Sequence, residues 1–219
     1  MIQDEGATAA PGWFGKLPGM GDVTQRRMPA LFREPWDRWL QHGLARLRAR
    51  HPDWIERYLK APLWCFVLSE GVIDGRSWLG VLMPSVDAIG RHFPLTLAAE
   101  LVSSRTELQG EVLARTKYWW ALAAQAALEG LEHDFDALRF DERLQELFAG
   151  YADEAGTDDA AAQAHPLLAL PEVGHSLWFT DPGAERGPGM TSQGLPQDEQ
   201  FEALFGFGAD SGLRQETGL

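Results

Sequence analysis

Between residues 35 and 50 the apolar side chains recur with helical spacing. Trp36, Trp39, Leu40, Gly43, Leu44 and Leu47 form one continuous face, and Arg38, Arg46 and Arg48 lie opposite. The spacing predicts an amphipathic helix from Pro35 to Arg50, with Pro35 suited to the first helical position. His51-Pro52-Asp53 breaks it, and a short second helix follows with Trp54, Tyr58 and Leu59 on its apolar side. The pattern then changes. Leu63–Leu68, Ser77–Met83 and Pro94–Leu101 are apolar runs of strand length, the first two joined by a short turn-rich link over Gly71–Gly75. An antiparallel hairpin is the expectation there. An earlier short run, Gly12–Leu17 with Trp13 and Phe14, reads as a strand ending in the Pro- and Gly-rich loop Leu17–Asp22.

Helical periodicity returns with Leu108, Val112, Trp119, Leu122 and Ala126. Thr106 and Gln109 have the spacing of a capping box, and Gly130 suits a C-terminal stop. Further expected elements are a helix over Asp141–Phe148, a strand over Ser176–Thr180 and a closing helix over Asp198–Phe205. Residues 152–165 read as an exposed acidic linker, and Asp181–Gln197 as loop. Interleaved helices and strands with short links between the central strands imply an α/β three-layer sandwich, a mixed, partly antiparallel sheet flanked by helices. The organisation expected is a flexible leader over 1–11, one domain over 12–206, and a flexible tail over 207–219.

Composition narrows the function classes. The 219 residues carry 19 Lys+Arg against 32 Asp+Glu, net charge -13, which argues against generic nucleic-acid binding. The excess is uneven. Residues 26–60 hold nine basic and four acidic side chains, whereas residues 129–159 hold two and eleven. Recognition of a partner is therefore expected mainly on the first half, with the acidic half acting as a solvated, steering face. Met1–Pro11 has no basic n-region or apolar h-region, and the stretch Ala61–Met83 is interrupted by Glu70, Asp74 and Arg76. A cytoplasmic protein without membrane insertion is the expectation.

Candidate chemistry is sparse. One cysteine, Cys65, excludes an intramolecular disulfide and a cysteine-built zinc site. No two of the six histidines are three or four residues apart, so no helix presents a local two-histidine metal site. His133 with Asp134 and Asp136 reads as a solvated acidic corner. Gly19-Met20-Gly21 lacks the third glycine of a dinucleotide fingerprint, and no phosphate loop ending in Gly-Lys-Ser/Thr occurs. Ser85, Asp87 and His92 are close in sequence, but no nucleophile elbow surrounds Ser85. Ser85 and Asp87 also suit a turn between strands, and Asp87 and Arg91, four apart around Gly90, suit an ionic clasp. No catalytic residue, cofactor, metal or obligate small molecule is expected. A hydrolase at Ser85/Asp87, phosphate handling by the Lys16–Asp22 loop, and a structural subunit remain as alternatives.

The segment Trp13-Phe14-Gly15-Lys16-Leu17-Pro18-Gly19-Met20-Gly21-Asp22-Val23 resembles the opening signature of the TagF (ImpM) family, accessory proteins of bacterial type VI secretion. Three further segments resemble its pattern in the same order: Glu34–Leu40, Ala61–Phe66, and Gly80–Asp87 running into Gly90–Thr96. Val23 stands where the family usually has an aromatic residue. Past residue 130 the likeness loosens to Ser176–Phe179 and Gly194–Pro196. The resemblance implies an α/β sandwich and a non-catalytic, post-translational repressor that binds a forkhead-associated scaffold or a signalling component of the apparatus. On that reading Lys16, Asp22, Arg26, Ser85, Asp87 and Arg91 are the candidate partner-binding residues, and Trp36 keeps the fold.

Overall fold

In the strand Trp78–Met83 every residue is buried, which only a strand covered on both faces allows. The computed structural model of the chain describes residues 10–102, 106–151, 167–181 and 189–207. Its elements are β1 (Gly12–Gly15), β2 (Thr24–Arg26), α1 (Ala30–Arg50), α2 (Trp54–Lys60), β3 (Trp64–Leu68), β4 (Trp78–Met83), β5 (Leu95–Glu100), β6 (Glu107–Leu108), α3 (Gly110–Glu132), α4 (Ala137–Ala149), β7 (Leu168–Ala169), β8 (His175–Phe179), β9 (Met190–Gln193) and α5 (Asp198–Leu204). Seven strands form one sheet in the order β2-β1-β5-β4-β3-β8-β9, and β6 pairs with β7 separately. The expected α/β sandwich is found, and every ladder in it is antiparallel.

Side-chain alternation sorts the apolar residues into two cores. Trp13, Cys65, Val67, Val81 and Leu97 point to one face, under α3 and α4. Phe14, Phe66, Leu82 and Trp178 point to the other, under α1, α2 and α5. The predicted hairpin is present as β3–β4, with Phe66 opposite Gly80. A Cβ at Gly80 would lie 2.2 Å from Phe66 Cζ and 2.4 Å from Leu97 O, so this position admits no larger side chain. Tryptophans fill the second core and still satisfy their indoles. Trp36 Nε1 donates to Thr96 Oγ1 at 2.9 Å, and Trp39 Nε1 to the Pro196 carbonyl at 2.7 Å.

Several boundaries differ from the sequence reading, each for a tertiary reason. Helix α1 begins at Ala30, so Pro35 lies inside it. Fully buried Phe32, stacked on Trp36, holds the extra first turn in place. The carbonyl of Leu31, which loses its donor to Pro35, belongs to an exposed residue that water can serve. Thr106 makes no capping box. Its carbonyl accepts from Leu170 N, because residues 106–108 are recruited to the β6–β7 pairing. Gly130 does not stop α3. It lies within the helix because Phe140 occupies the space a Cβ would need. Helix α4 starts earlier than expected, capped by the Asp136 carboxylate, which accepts from Leu138 N and Arg139 N. The span read as loop after Asp181 contains β9, which pairs with β8. Ala10 and Pro11, assigned to the leader, are buried, with Arg27 Nε donating to both carbonyls. Phe207, assigned to the tail, is buried against the His51 ring. The acidic linker 152–165 and the remaining leader and tail residues lie outside the described residues. Among the described residues, no helix is long and apolar enough to cross a membrane.

Candidate functional site

Two loops leave the same end of the sheet because β1 pairs with β5. One, residues 16–23, follows β1. The other, residues 84–94, joins β4 to β5. Their close approach demands glycine at position 15, which sits at φ +145° and where a Cβ would lie 2.2 Å from Pro94 O. Hydrogen bonds to main-chain carbonyls then tie the loops together. Ser85 Oγ donates to the Lys16 carbonyl at 2.8 Å, and Ala88 N to the Met20 carbonyl at 2.9 Å. Helix α2 joins them through Tyr58, whose hydroxyl donates to the Ser85 carbonyl and accepts from Ser85 N, both at 2.9 Å.

Asp87 is the centre of this clasp. Its side chain is 0% exposed and pairs with Lys16 Nζ, itself on a residue only 7% exposed. It also accepts from Arg91 Nε at 2.7 Å, Arg91 N at 2.8 Å and Ile89 N at 3.1 Å. Burial alone would raise the Asp87 pKa. The hydrogen bonds from Lys16, Arg91 and Ile89 together outweigh it and hold the carboxyl well below the usual carboxylate range. The turn closes with Asp87 N donating to Arg91 O and Gly90 N to Asp87 O, and Gly90 takes φ +80°. Outside the clasp, Arg91 Nη2 reaches Asp22 Oδ1 at 3.1 Å.

Five of the six candidate partner-binding residues are thus brought together, but burial divides them. Lys16, Ser85 and Asp87, all expected at a partner-binding surface, are internal and spend their polar atoms on the clasp. Asp22 and Arg91 reach the surface, with side chains 89% and 50% exposed. Arg26 lies elsewhere, 3.9 Å from Asp141 on α4. Asp141 was not a sequence candidate, yet it anchors a second cluster. It accepts from Trp13 Nε1 at 2.9 Å, Arg27 Nη1 at 3.0 Å, Arg27 Nη2 at 2.6 Å and Gln145 Nε2 at 2.9 Å. Burial pushes its pKa up, but the bonds from Arg27 and Trp13 bring it below its ordinary value. Tyr58 was missed in the same way: its partner Ser85 is 27 residues distant, and no local pattern links them.

The geometry limits the chemistry. Ser85 is buried with its hydroxyl proton engaged by a main-chain carbonyl, not by His92. The His92 ring packs edge-on against Trp54 and Tyr58. Burial, then the neighbouring Arg48 charge, lowers its pKa. Burial pushes the Cys65 thiol up to about 12, far from a reactive thiolate. Among the described residues, no three His, Cys, Asp or Glu side chains are grouped as a metal ion would need, and no buried side-chain polar atom lacks a partner. A shallow cleft between α1 and α5 is lined by Trp39, His42, Gly43, Arg46, Asp198 and Phe201, and an Arg46–Asp198 ion pair spans it. The basic run of residues 26–60 is largely consumed the same way. Arg50 and His51 meet Glu202 of α5, Arg48 donates to the His92 carbonyl, and Lys60 meets Glu56.

The family profile described as the TagF N-terminal domain, type VI secretion system-associated, matches residues 12–147. The chain is similar in structure to PA0076 from Pseudomonas aeruginosa PAO1, with a TM-score of 0.65 and 26% sequence identity. That likeness covers 89% of this chain and 93% of PA0076. No curated protein matches the chain in sequence.

Proposed function

The chain belongs to the TagF family of type VI secretion system-associated proteins, and from that premise we propose that it is a non-catalytic, post-translational repressor of type VI secretion. It acts in the cytoplasm by occupancy, binding a protein of the apparatus and withholding it from assembly or firing. A forkhead-associated scaffold is the partner implied by the family resemblance. The observation that carries the reading is the fate of the signature segments. Lys16, Ser85 and Asp87 are spent on an internal clasp, and what the clasp presents outward is the hydrogen-bonded turn 88–91 with Asp22 beside it. Such a device suits shape recognition better than turnover, because its two hydroxyls, on Ser85 and Tyr58, and its central carboxylate are enclosed.

The test compares effector secretion in a strain lacking this protein with the same strain complemented by wild type or by Ser85→Ala. Deletion should raise secretion without changing transcript levels of the apparatus, and both complements should restore repression. Unchanged secretion on deletion would overturn the repressor reading. Loss of repression by a Ser85→Ala protein that still folds would favour a hydrolytic role.

A further inference from the structure

Ile89 is a large aliphatic side chain at the tip of a turn, where small and polar residues are the usual choice, and it is 71% exposed. A single exposed isoleucine is ordinary on a protein surface. What sets this one apart is its mounting. Its own N–H is held by the buried Asp87 carboxylate, and its neighbours on both sides are bonded too, Ala88 N to Met20 O and Gly90 N to Asp87 O. The Arg91 backbone and guanidinium close the same carboxylate. The side chain therefore stands on a backbone with little freedom left to lose, so ordering it on binding costs little.

The charges beside it indicate what it meets. Arg91 is bound inward through Nε and sideways through Nη2, and among the described residues no acceptor is bonded to Nη1. Its sideways partner, Asp22, is almost wholly exposed, so that pair is weak and readily exchanged. A carboxylate arriving from outside can take both Nη groups in the paired geometry that guanidinium favours.

We infer that the 88–91 turn is the docking epitope of this protein: Ile89 seats in a small apolar pocket of a folded protein partner, and a carboxylate on that pocket's rim replaces Asp22 on Arg91. The inference rests on the binding-repressor reading and adds to it the contact residues and the partner's chemistry. A buried aliphatic anchor beside an arginine is the arrangement in which interfaces concentrate their affinity.

The experiment uses the full chain and, as probe, the purified forkhead-associated scaffold of the same secretion system, titrated calorimetrically, with effector secretion measured in parallel. Ile89→Ala should weaken binding at least about thirty-fold, and Ile89→Asp should abolish it and release secretion. Both variants should melt with wild type, since the side chain packs on little. Asp22→Ala should tighten binding by about two- to fivefold, because the competitor for Arg91 is gone. If wild type binds and Ile89→Asp binds equally, the epitope is wrong while the repressor reading stands. If Asp22→Ala loosens binding instead, the carboxylate exchange is wrong. If wild type represses without binding this scaffold, the choice of scaffold fails, and Ile89→Asp still decides the epitope through secretion. If wild type neither binds nor represses, the repressor reading falls and the epitope with it.

Discussion

Replacing Asp87 by alanine removes the carboxylate at the centre of the clasp and leaves Lys16 in place. Lys16 is then a cation on a residue 7% exposed with no counter-charge. Removing one partner of a buried ion pair typically costs about 3–5 kcal/mol, because the remaining charge keeps its desolvation penalty. The N–H groups of Ile89 and Arg91 lose their acceptor as well, but both residues are exposed, so water replaces it and the added cost is small. For a chain of this length each kcal/mol lowers the melting midpoint by about 2–4 °C, which puts Asp87→Ala roughly 6–20 °C below wild type at neutral pH. Thermal unfolding followed by circular dichroism measures it. The double change Lys16→Met with Asp87→Ala should recover much of the loss, since no charge is then stranded.

The pH dependence has a definite sign. The folded pKa of Asp87 is depressed, so its contribution is complete above the ordinary carboxylate value of about 3.9 and is lost as pH falls from there toward the folded value. The gap between wild type and Asp87→Ala should therefore narrow on acidification. A variant melting within about 2 °C of wild type at neutral pH, as exposed ion pairs behave, would refute the reasoning. So would a gap that stays constant down to pH 3.

Arg143 holds Glu129 at a pKa of about 2 through bonds of 2.5 and 3.1 Å that link α4 to α3. Both groups are partly solvated, so Glu129→Gln should cost only about 1 kcal/mol at neutral pH, and urea titrations should show that cost fading as pH falls through the 4–2 window. Gly43→Ala would place a Cβ 2.3 Å from the Phe201 ring, so α5 should loosen at a cost of about 1–3 kcal/mol. Hydrogen exchange over Asp198–Leu204 should then speed up relative to α3, and unchanged exchange would contradict the packing described. Cys65 should resist iodoacetamide in the native protein and react readily in denaturant, because burial holds its thiol at a pKa of about 12. Rapid native labelling would mean that β3 is more open than its burial indicates.

Much of the architecture was legible from period alone. The apolar stripe of α1, the runs of β3, β4 and β5 and the hairpin between the first two are local patterns, and burial of one face or two writes them directly into the order of residues. Element ends were less legible. They depend on what a neighbour does, as when Phe32 stacks on Trp36 to extend α1 past a proline, or Phe140 takes the space beside Gly130. The strand β9 hides in a Gly- and Pro-rich stretch because only its pairing with β8 makes it a strand.

The candidate residues show the same division. Their sequence positions determined that Asp87 and Arg91 could pair across four residues, and a single cysteine determined that the chain closes no intramolecular disulfide. The sequence could not say which charge would be inside. That depends on β1 lying beside β5, which brings Lys16 to Asp87 across 71 residues and encloses both, while Asp22 and Arg91 stay in water. Burial is a property of the whole assembly, and the cost of a charge is set by the atoms packed around it, so only the tertiary structure decided which members of the motif are enclosed and which stay in water.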